Sequence, residues 1–195
     1  VPKDEVEAFK WCRKTADQGV AQAQSFLGIM YLAGIGVPKD EKEALKWLIK
    51  AAEQGIAEAQ FRVGVQYANG RVVPQDHKEA VKWYTKAAEQ GYAEAQHNLG
   101  VAYDHGKGVP QDDKEAVKWT RKAADQGYEE AQYNLGLAYA KGEGVLKDYK
   151  EAIKWSRKAA DQGLAKAQFN LGLMYQGGQG VPQDYKEAVK WWRKA

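Results

Sequence analysis

Few residues of this chain have the types and spacing that catalysis or metal binding requires. His97 and His105 are eight residues apart, which separates them by about 12 Å along one helix axis, too far to share a metal ion without a third ligand. Gly106-Lys107-Gly108 lacks the preceding strand and the spacing of a phosphate-binding loop. The single cysteine, Cys12, excludes an intramolecular disulfide bond. We therefore predict no catalytic residue, no metal site and no cofactor.

The carboxylates that could form an acid–base pair recur at a fixed interval, which indicates architecture. Asp112-Asp113 follows Val109-Pro110-Gln111, and this segment returns every 36 residues without insertion or deletion. Its other copies are Val1-Pro2-Lys3-Asp4, Val37-Pro38-Lys39-Asp40, Val73-Pro74-Gln75-Asp76, Val145-Leu146-Lys147-Asp148 and Val181-Pro182-Gln183-Asp184. A period of this length is typical of stacked helical or strand units. Positions that differ between copies can then carry information particular to this protein.

The first half of each repeat has the pattern of an amphipathic helix. In the copy at 73–108, Asp76 followed by Glu79 is a capping pattern, so a helix should begin near residue 77. Trp83 and its apolar neighbours recur at helical spacing, and Gln90-Gly91 ends the segment with the glycine typical of a helix C-terminus. We call this element the Trp helix.

The second half of each repeat predicts another helix, which we call the Tyr helix. It carries Leu99, Gly100 and Tyr103 on one face and ends at Gly106. The turn between the two helices is short, so they must pack antiparallel. A glycine inside a helix costs roughly 1 kcal/mol relative to alanine, and a copy of Gly100 occurs in every full repeat. Close approach of a neighbouring helix or a Trp ring would offset this cost, and we expect Gly100→Leu to destabilise the protein strongly.

These two segments carry a resemblance to a known repeat family. The motifs are Glu79-Ala80-x-x-Trp83-x-x-Lys86-Ala87-Ala88-x-x-Gly91 and Ala95-Gln96-x-x-Leu99-Gly100-x-x-Tyr103. They resemble the Sel-one-like repeat family, a relative of the tetratricopeptide repeats, over the whole chain. The resemblance implies an all-α fold, a right-handed α–α superhelix (solenoid) of antiparallel helix pairs. It also implies that the Tyr helices line the concave surface and that the protein acts as an adaptor or scaffold.

The period predicts one solenoid over residues 1–195. Its repeats are 1–36, 37–72, 73–108, 109–144 and 145–180, followed by a partial sixth repeat at 181–195. The sixth repeat supplies a Trp helix alone. That helix either caps the last full repeat or indicates that the natural protein continues beyond it.

Net charge and hydropathy limit the classes of partner. The formal net charge of +3 is too small to imply nucleic-acid binding. Lysines at four-residue steps on the Trp helices, such as Lys78, Lys82 and Lys86, are best interpreted as a solvated face. No apolar run approaches the roughly 18–20 residues of a membrane span, and no signal-peptide pattern is present. The compartment stays open, although the family resemblance allows a bacterial periplasmic or secreted location.

The positions that differ between copies concentrate beside the buried stripe of the Tyr helices. We predict that they form a partner-binding groove made by Phe26, Phe61, Arg62, His97, Asn98, Tyr133, Asn134, Phe169 and Asn170. Asparagine amides can donate to and accept from any peptide backbone. Aromatic rings offer rigid contact area, and an arginine can hold a carboxylate.

A purely structural interpretation of the same residues is open. In that interpretation the asparagines form hydrogen bonds within the scaffold, and the aromatic rings are buried against the next repeat. Alanine substitution separates the two, because a groove residue affects partner binding and a scaffold residue affects melting.

The sequence thus favours a non-enzymatic, monomeric scaffold or adaptor that binds a protein or peptide segment in its concave groove. The alternatives are a structural spacer of a longer protein, a regulatory or immunity subunit that binds a folded enzyme, and a weak hydrolase or small-ligand binder.

Overall fold

The described part of the chain consists of helices joined by short loops. A computed structural model describes residues 3–195, and these contain eleven α-helices and no strand. Val1 and Pro2, with which the first predicted repeat begins, lie outside the described residues. The predicted all-α class of antiparallel helix pairs is confirmed. The helices group into two compact units, Val1–Ala95 and Gln96–Ala195.

The first unit alternates Trp and Tyr helices in chain order. Its helices are α1 (Lys3–Asp17), α2 (Ala21–Ala33), α3 (Glu41–Glu53), α4 (Ala57–Asn69) and α5 (His77–Glu89). The Tyr helix α6 (Ala93–His105) begins at the end of this unit. Its core contains Leu48, Ala59 and Val63, all fully buried.

The second unit continues the same alternation. After most of α6 come α7 (Asp113–Asp125), α8 (Glu129–Lys141), α9 (Tyr149–Asp161), α10 (Ala165–Gly177) and α11 (Tyr185–Trp192). Its core contains Leu135 and Leu171, both fully buried, together with Trp155 and Trp191. The adjacent Trp192 is half-buried, so the two neighbouring Trp rings of α11 do face different surroundings.

The aspartates that begin the Trp helices act as helix caps. The Asp148 carboxylate accepts hydrogen bonds from the backbone N–H groups of Lys150 and Glu151, at 2.8 and 3.2 Å. The glutamate of the pattern does not return the bond, because the backbone N–H of Asp148 donates to the carbonyl of Tyr139. The carboxylate of Glu151 instead pairs with Lys154. In α1 the pattern is different, since that helix begins at Lys3 and Asp4 already lies within its first turn.

The glycines inside the Tyr helices are explained by close approach of the next Trp helix. A Cβ atom on Gly136 would lie 2.7 Å from Ser156 Oγ and 3.0 Å from the carbonyl oxygen of Ala152. On Gly64 it would lie 2.7 Å from the ring of Tyr84. Both expected causes are therefore observed: the next helix approaches Gly64 and Gly136 closely, and the Trp192 ring lies over Gly172.

A series of buried glutamines ties the helices of each unit together. Gln132 donates to the carbonyl of Ala124 at 3.2 Å, and its own carbonyl accepts from Gln162 at 2.8 Å. In the first unit, Gln60 donates to a backbone carbonyl at 3.0 Å and accepts from Gln90 at 2.7 Å. These amides satisfy backbone groups at the helix ends, which would otherwise be buried without partners.

Candidate partner-binding faces

In the first unit, three predicted groove residues lie on Tyr helices with different degrees of exposure. Phe26 on α2 is 53% exposed and Phe61 on α4 is half-buried. The Phe61 ring packs 6.0 Å from that of Tyr84 and 5.3 Å from that of Tyr92. Arg62 forms a fork onto Glu58, with Nε and Nη2 at 3.0 and 2.7 Å from one carboxylate oxygen. Phe61 and Arg62 therefore also make contacts within the scaffold, whereas the Phe26 ring is largely open to solvent.

In the second unit, His97 at the start of α6 packs against Tyr128, with the ring centroids 5.1 Å apart. Its Nδ1 atom is buried without a hydrogen-bond partner among the described residues. Burial lowers the pKa of His97, while Glu130 acts to raise it and Lys166 to lower it. The imidazole is therefore held in its neutral form, which suits a packing residue more than a charged contact.

Two further aromatic residues lie on α8 and α10. Tyr133 is half-buried against the core of the second unit, and the ammonium group of Lys166 lies 4.9 Å from its ring centroid. Phe169 is 54% exposed. One side of its ring meets Trp192 at 6.4 Å between centroids, and Trp192 Nε1 donates to its carbonyl at 3.1 Å. The ring of Phe169 therefore has a fixed support and an open face.

The asparagines Asn98, Asn134 and Asn170 share one property that separates them from the buried glutamines. All three are half-buried, and none of their side-chain amides forms a hydrogen bond with any residue of 3–195. The amides that hold the scaffold together belong to the glutamines, such as Gln132 and Gln168. The hydrogen-bond donors and acceptors of the asparagine amides are therefore available to a bound partner.

A cavity of about 270 Å³ lies among α6, α7 and α8. Gly100, Thr120 and Asn134 line one end of it, and Asp104 and Glu143 contribute carboxylates. Of these five residues, the sequence analysis singled out Asn134 for binding.

A signal for this cavity was present in the sequence. The position after the Trp of each Trp helix reads Cys12, Leu48, Tyr84, Thr120, Ser156 and Trp192, a set that suggests tolerance. In the structure Leu48, Tyr84, Thr120, Ser156 and Trp192 face the glycine of the preceding Tyr helix. A small residue at this position, such as Thr120, leaves more volume beside the glycine than leucine, tyrosine or tryptophan does. Cys12, the first member, donates from Sγ to the carbonyl of Ala23, and burial raises the pKa of its thiol.

Most rows of lysines on the Trp helices include two that contact side chains of their own helix. Lys118 pairs with Glu115 at 2.8 Å, and Lys154 pairs with Glu151 at 2.9 Å. Lys122 lies 4.1 Å from the centroid of the Trp119 ring, an arrangement that recurs in the other Trp helices. Among residues 3–195, no group of three or more His, Cys, Asp or Glu side chains could hold a metal ion. The described helices include none with the length and apolar character to cross a membrane.

The Sel1 repeat profile matches the chain six times, at residues 1–20, 21–56, 57–92, 93–128, 129–164 and 165–195. The chain belongs to the Sel1 repeat family. The resemblance seen in the two sequence motifs is thereby confirmed. Sel1 repeat proteins are generally non-enzymatic solenoids, and protein binding is typical of the family.

Solved structures of Sel1 repeat proteins share this fold. One is c5321, a protective antigen present in uropathogenic Escherichia coli strains, with 44% identity and a TM-score of 0.91. The match covers 95% of this chain and 40% of c5321, so the chain spans less than half of that relative. A Sel1 repeat protein from Oxalobacter formigenes has 37% identity and a TM-score of 0.92, over 98% of this chain and 76% of its own.

More distant Sel1-like structures share the fold alone. The immunity protein Pa5087 from Pseudomonas aeruginosa has 22% identity and a TM-score of 0.60, over 100% of this chain and 74% of its own. No curated protein matches the chain by sequence.

Proposed function

We propose that this Sel1 repeat protein is an interaction scaffold whose second unit binds an extended segment of a partner protein along α8 and α10. The observation that carries the proposal is the pair of side-chain amides at Asn134 and Asn170, which form no hydrogen bond with the described residues, beside Gln132 and Gln168, whose amide nitrogens donate within the scaffold. An unpaired, half-buried amide gains most from a partner that offers both a donor and an acceptor. A peptide backbone offers both at every residue.

The aromatic residues of the same helices support this proposal. Phe169 is stacked on Trp192 and presents its other face to solvent. Tyr133 precedes Asn134 in the sequence, as Phe169 precedes Asn170, so each repeat presents a ring next to an amide. Preformed rings lose little conformational entropy on binding, because their supports already fix their rotamers.

We propose further that the chain works as a monomer, without catalysis and without nucleic acid. The lysine rows of the Trp helices support the last point, since Lys118 and Lys122 already contact a carboxylate and a Trp ring of their own helix. Binding to DNA with a steep salt dependence would contradict it.

The test begins with affinity capture from a lysate of the source cells. The bait is the full chain, and the control bait carries Tyr133→Ala, Asn134→Ala, Phe169→Ala and Asn170→Ala together. A protein captured by the first bait and lost with the second is then purified, and its dissociation constant is measured against single variants.

The single variants form a matched pair of amide deletions. We expect Asn170→Ala to weaken partner binding about two- to tenfold, the effect of losing one or two hydrogen bonds, and to leave the melting temperature unchanged. Gln168→Ala, two residues earlier on α10, should lower the melting temperature because its amide holds the carbonyl of Ala160. If Asn170→Ala lowered the melting temperature and left the dissociation constant unchanged, the scaffold interpretation of the asparagines would be correct.

A further inference from the structure

The cavity among α6, α7 and α8 has an unpaired polar group at one end. Thr120 on α7 is 7% exposed and lines the cavity, with its hydroxyl directed at Gly100. Thr85, a residue of α5, donates its hydroxyl to the carbonyl of Val81 at 2.9 Å. The hydroxyl of Thr120 forms no such bond with any residue that the structure describes.

The small size of Thr120 contributes to this space. In three other copies the corresponding side chain is the larger Leu48, Tyr84 or Trp192, which lies directly over the glycine of the preceding Tyr helix, and in the next copy it is Ser156, which packs closely against Gly136. Threonine is much smaller than tyrosine or tryptophan, so it leaves part of this volume empty. The walls of the cavity include Val101, whose apolar surface suits a hydrocarbon chain.

The other end of the cavity is acidic. Its lining contains three acidic side chains, Asp104, Asp113 and Glu143, and one lysine, Lys141. Lys141 pairs with Glu143 at 3.3 Å. Asp104 lies 3.0 Å from Nδ1 of His105. Gly100 and Asp104 are one turn apart on α6, about 6 Å along the axis, and α7 runs antiparallel to it. The carboxylates of α6 and α7 therefore collect at the end opposite Thr120.

Two of these carboxylates, Asp104 and Glu143, occur at positions where no other copy has an acidic residue. The position of Asp104 is occupied by Leu32, Ala68, Ala140 and Gln176 in the other copies. The position of Glu143 is occupied by Ile35, Arg71, Lys107 and Gln179. These two carboxylates, one on each side of the boundary between repeats 73–108 and 109–144, line the same cavity as the small residue Thr120, and the period of the scaffold requires none of the three.

We propose that this cavity receives one lysine or arginine side chain of the partner segment. The hydrocarbon stem of that side chain lies between the pair Gly100 and Thr120 on one side and the apolar wall on the other. Its cationic head group contacts Asp104 and Glu143. This inference rests on the proposed function, because it assigns one residue type to the segment that α8 and α10 bind.

Capped single-residue probes test the cavity without a partner protein. The probes are the N-acetyl N-methylamides of arginine, lysine, citrulline and norleucine, titrated into the full chain and followed by amide NMR shifts. Arginine and lysine should shift the resonances of Gly100 and Thr120, and raised salt should weaken them. Citrulline and norleucine, which are neutral and of similar length, should leave those resonances in place.

Two variants locate the binding. Glu143→Gln should weaken the arginine probe about three- to fivefold, since a partly exposed charge pair contributes less than a factor of ten. Thr120→Leu restores the residue type of Leu48, so it should fill the cavity, abolish binding and keep the chain folded. A melting curve for this variant confirms folding. Shifts that are equal for arginine and citrulline, shifts confined to other residues, or no shift with any probe would each overturn the proposal.

The failure of the two proposals would look different. If the cavity proposal alone is wrong, Asn170→Ala still weakens the captured partner while Glu143→Gln does not. If the scaffold proposal is wrong, Asn170→Ala has no effect on the partner, and the arginine probe still reports on the cavity.

Discussion

The Gly100→Leu substitution tests the close approach between α6 and α7. A Cβ atom on Gly100 would lie 2.5 Å from Thr120 Oγ1, 3.0 Å from the carbonyl oxygen of Ala116 and 3.2 Å from the backbone nitrogen of Thr120. Two of these three atoms belong to the backbone of α7. A rotamer change of Thr120 can relieve the first contact, but only movement of the helix can relieve the others.

The magnitude follows from two opposing contributions. Replacing glycine by alanine in a helix interior gains about 1 kcal/mol of helix propensity, and overpacking of this kind costs about 1–3 kcal/mol. Gly100→Ala should therefore lie between neutral and about 2 kcal/mol destabilising. Leucine adds three more carbon atoms, so we expect a loss of about 3 kcal/mol or more. In a chain of this size that corresponds to a melting temperature about 6–12 °C lower.

The assay is thermal unfolding followed by far-ultraviolet circular dichroism, with Gly177→Leu as the matched control. Gly177 also lies in a Tyr helix, at the end of α10, but its Cβ would have no neighbour closer than 3.6 Å. The control should melt at or slightly above the temperature of the parent chain, because leucine has the better helix propensity. A Gly100→Leu melting temperature within about 2 °C of the parent would show that the contact does not limit the packing of α6 on α7.

Two further predictions concern buried polar groups of the second unit. Ser156 is fully buried, and its Oγ has no hydrogen-bond partner among residues 3–195. Ser156→Ala should therefore raise the melting temperature by about 2–4 °C, through about 1 kcal/mol of relieved desolvation. A lower melting temperature than that of the parent chain would show that the hydroxyl does form a stabilising hydrogen bond. Burial lowers the pKa of His97 below its unfolded value of about 6.5. As the pH falls through this range, the unfolded chain binds a proton that the folded chain does not. The free energy of unfolding therefore falls as the pH falls. His97→Phe, which restores the residue type of Phe61 and Phe169, should lose less stability between about pH 7.5 and about pH 5.5; equal slopes would contradict the assignment.

The sequence predicted the helices well because each signal for them is local and repeated. Asp76 placed the start of α5 within one residue, and Gly106 placed the end of α6. Caps and glycine stops act on their own helix, so their meaning does not depend on the tertiary structure. At the start of the chain, α1 begins at Lys3, ahead of the predicted Asp4 cap.

The site was harder to predict because it depends on which polar groups find partners in space. Gln132 and Asn134 are both amides of α8, and residue type alone does not tell which of them forms hydrogen bonds within the scaffold. Only the structure shows that Gln132 reaches Ala124 and Gln162, whereas the amide of Asn134 reaches no described residue. The cavity was missed for the same reason, since the variation at the position of Thr120 becomes meaningful once the glycine opposite is known.

The variation at the Thr120 position is possible because the backbone, and not this side chain, sets the distance between helices. An added Cβ on the glycine opposite would lie 3.0–3.2 Å from a carbonyl oxygen of the next Trp helix in four copies. The side chains at the variable position in those copies are Leu48, Tyr84, Thr120 and Ser156. Their volumes differ greatly and the separation does not, so the glycine contact with the backbone fixes the packing. Because the side chain at this position does not set the helix spacing, a smaller residue can occupy it without separating the helices. In the fourth repeat this position is occupied by Thr120, and the volume left beside it is available for binding.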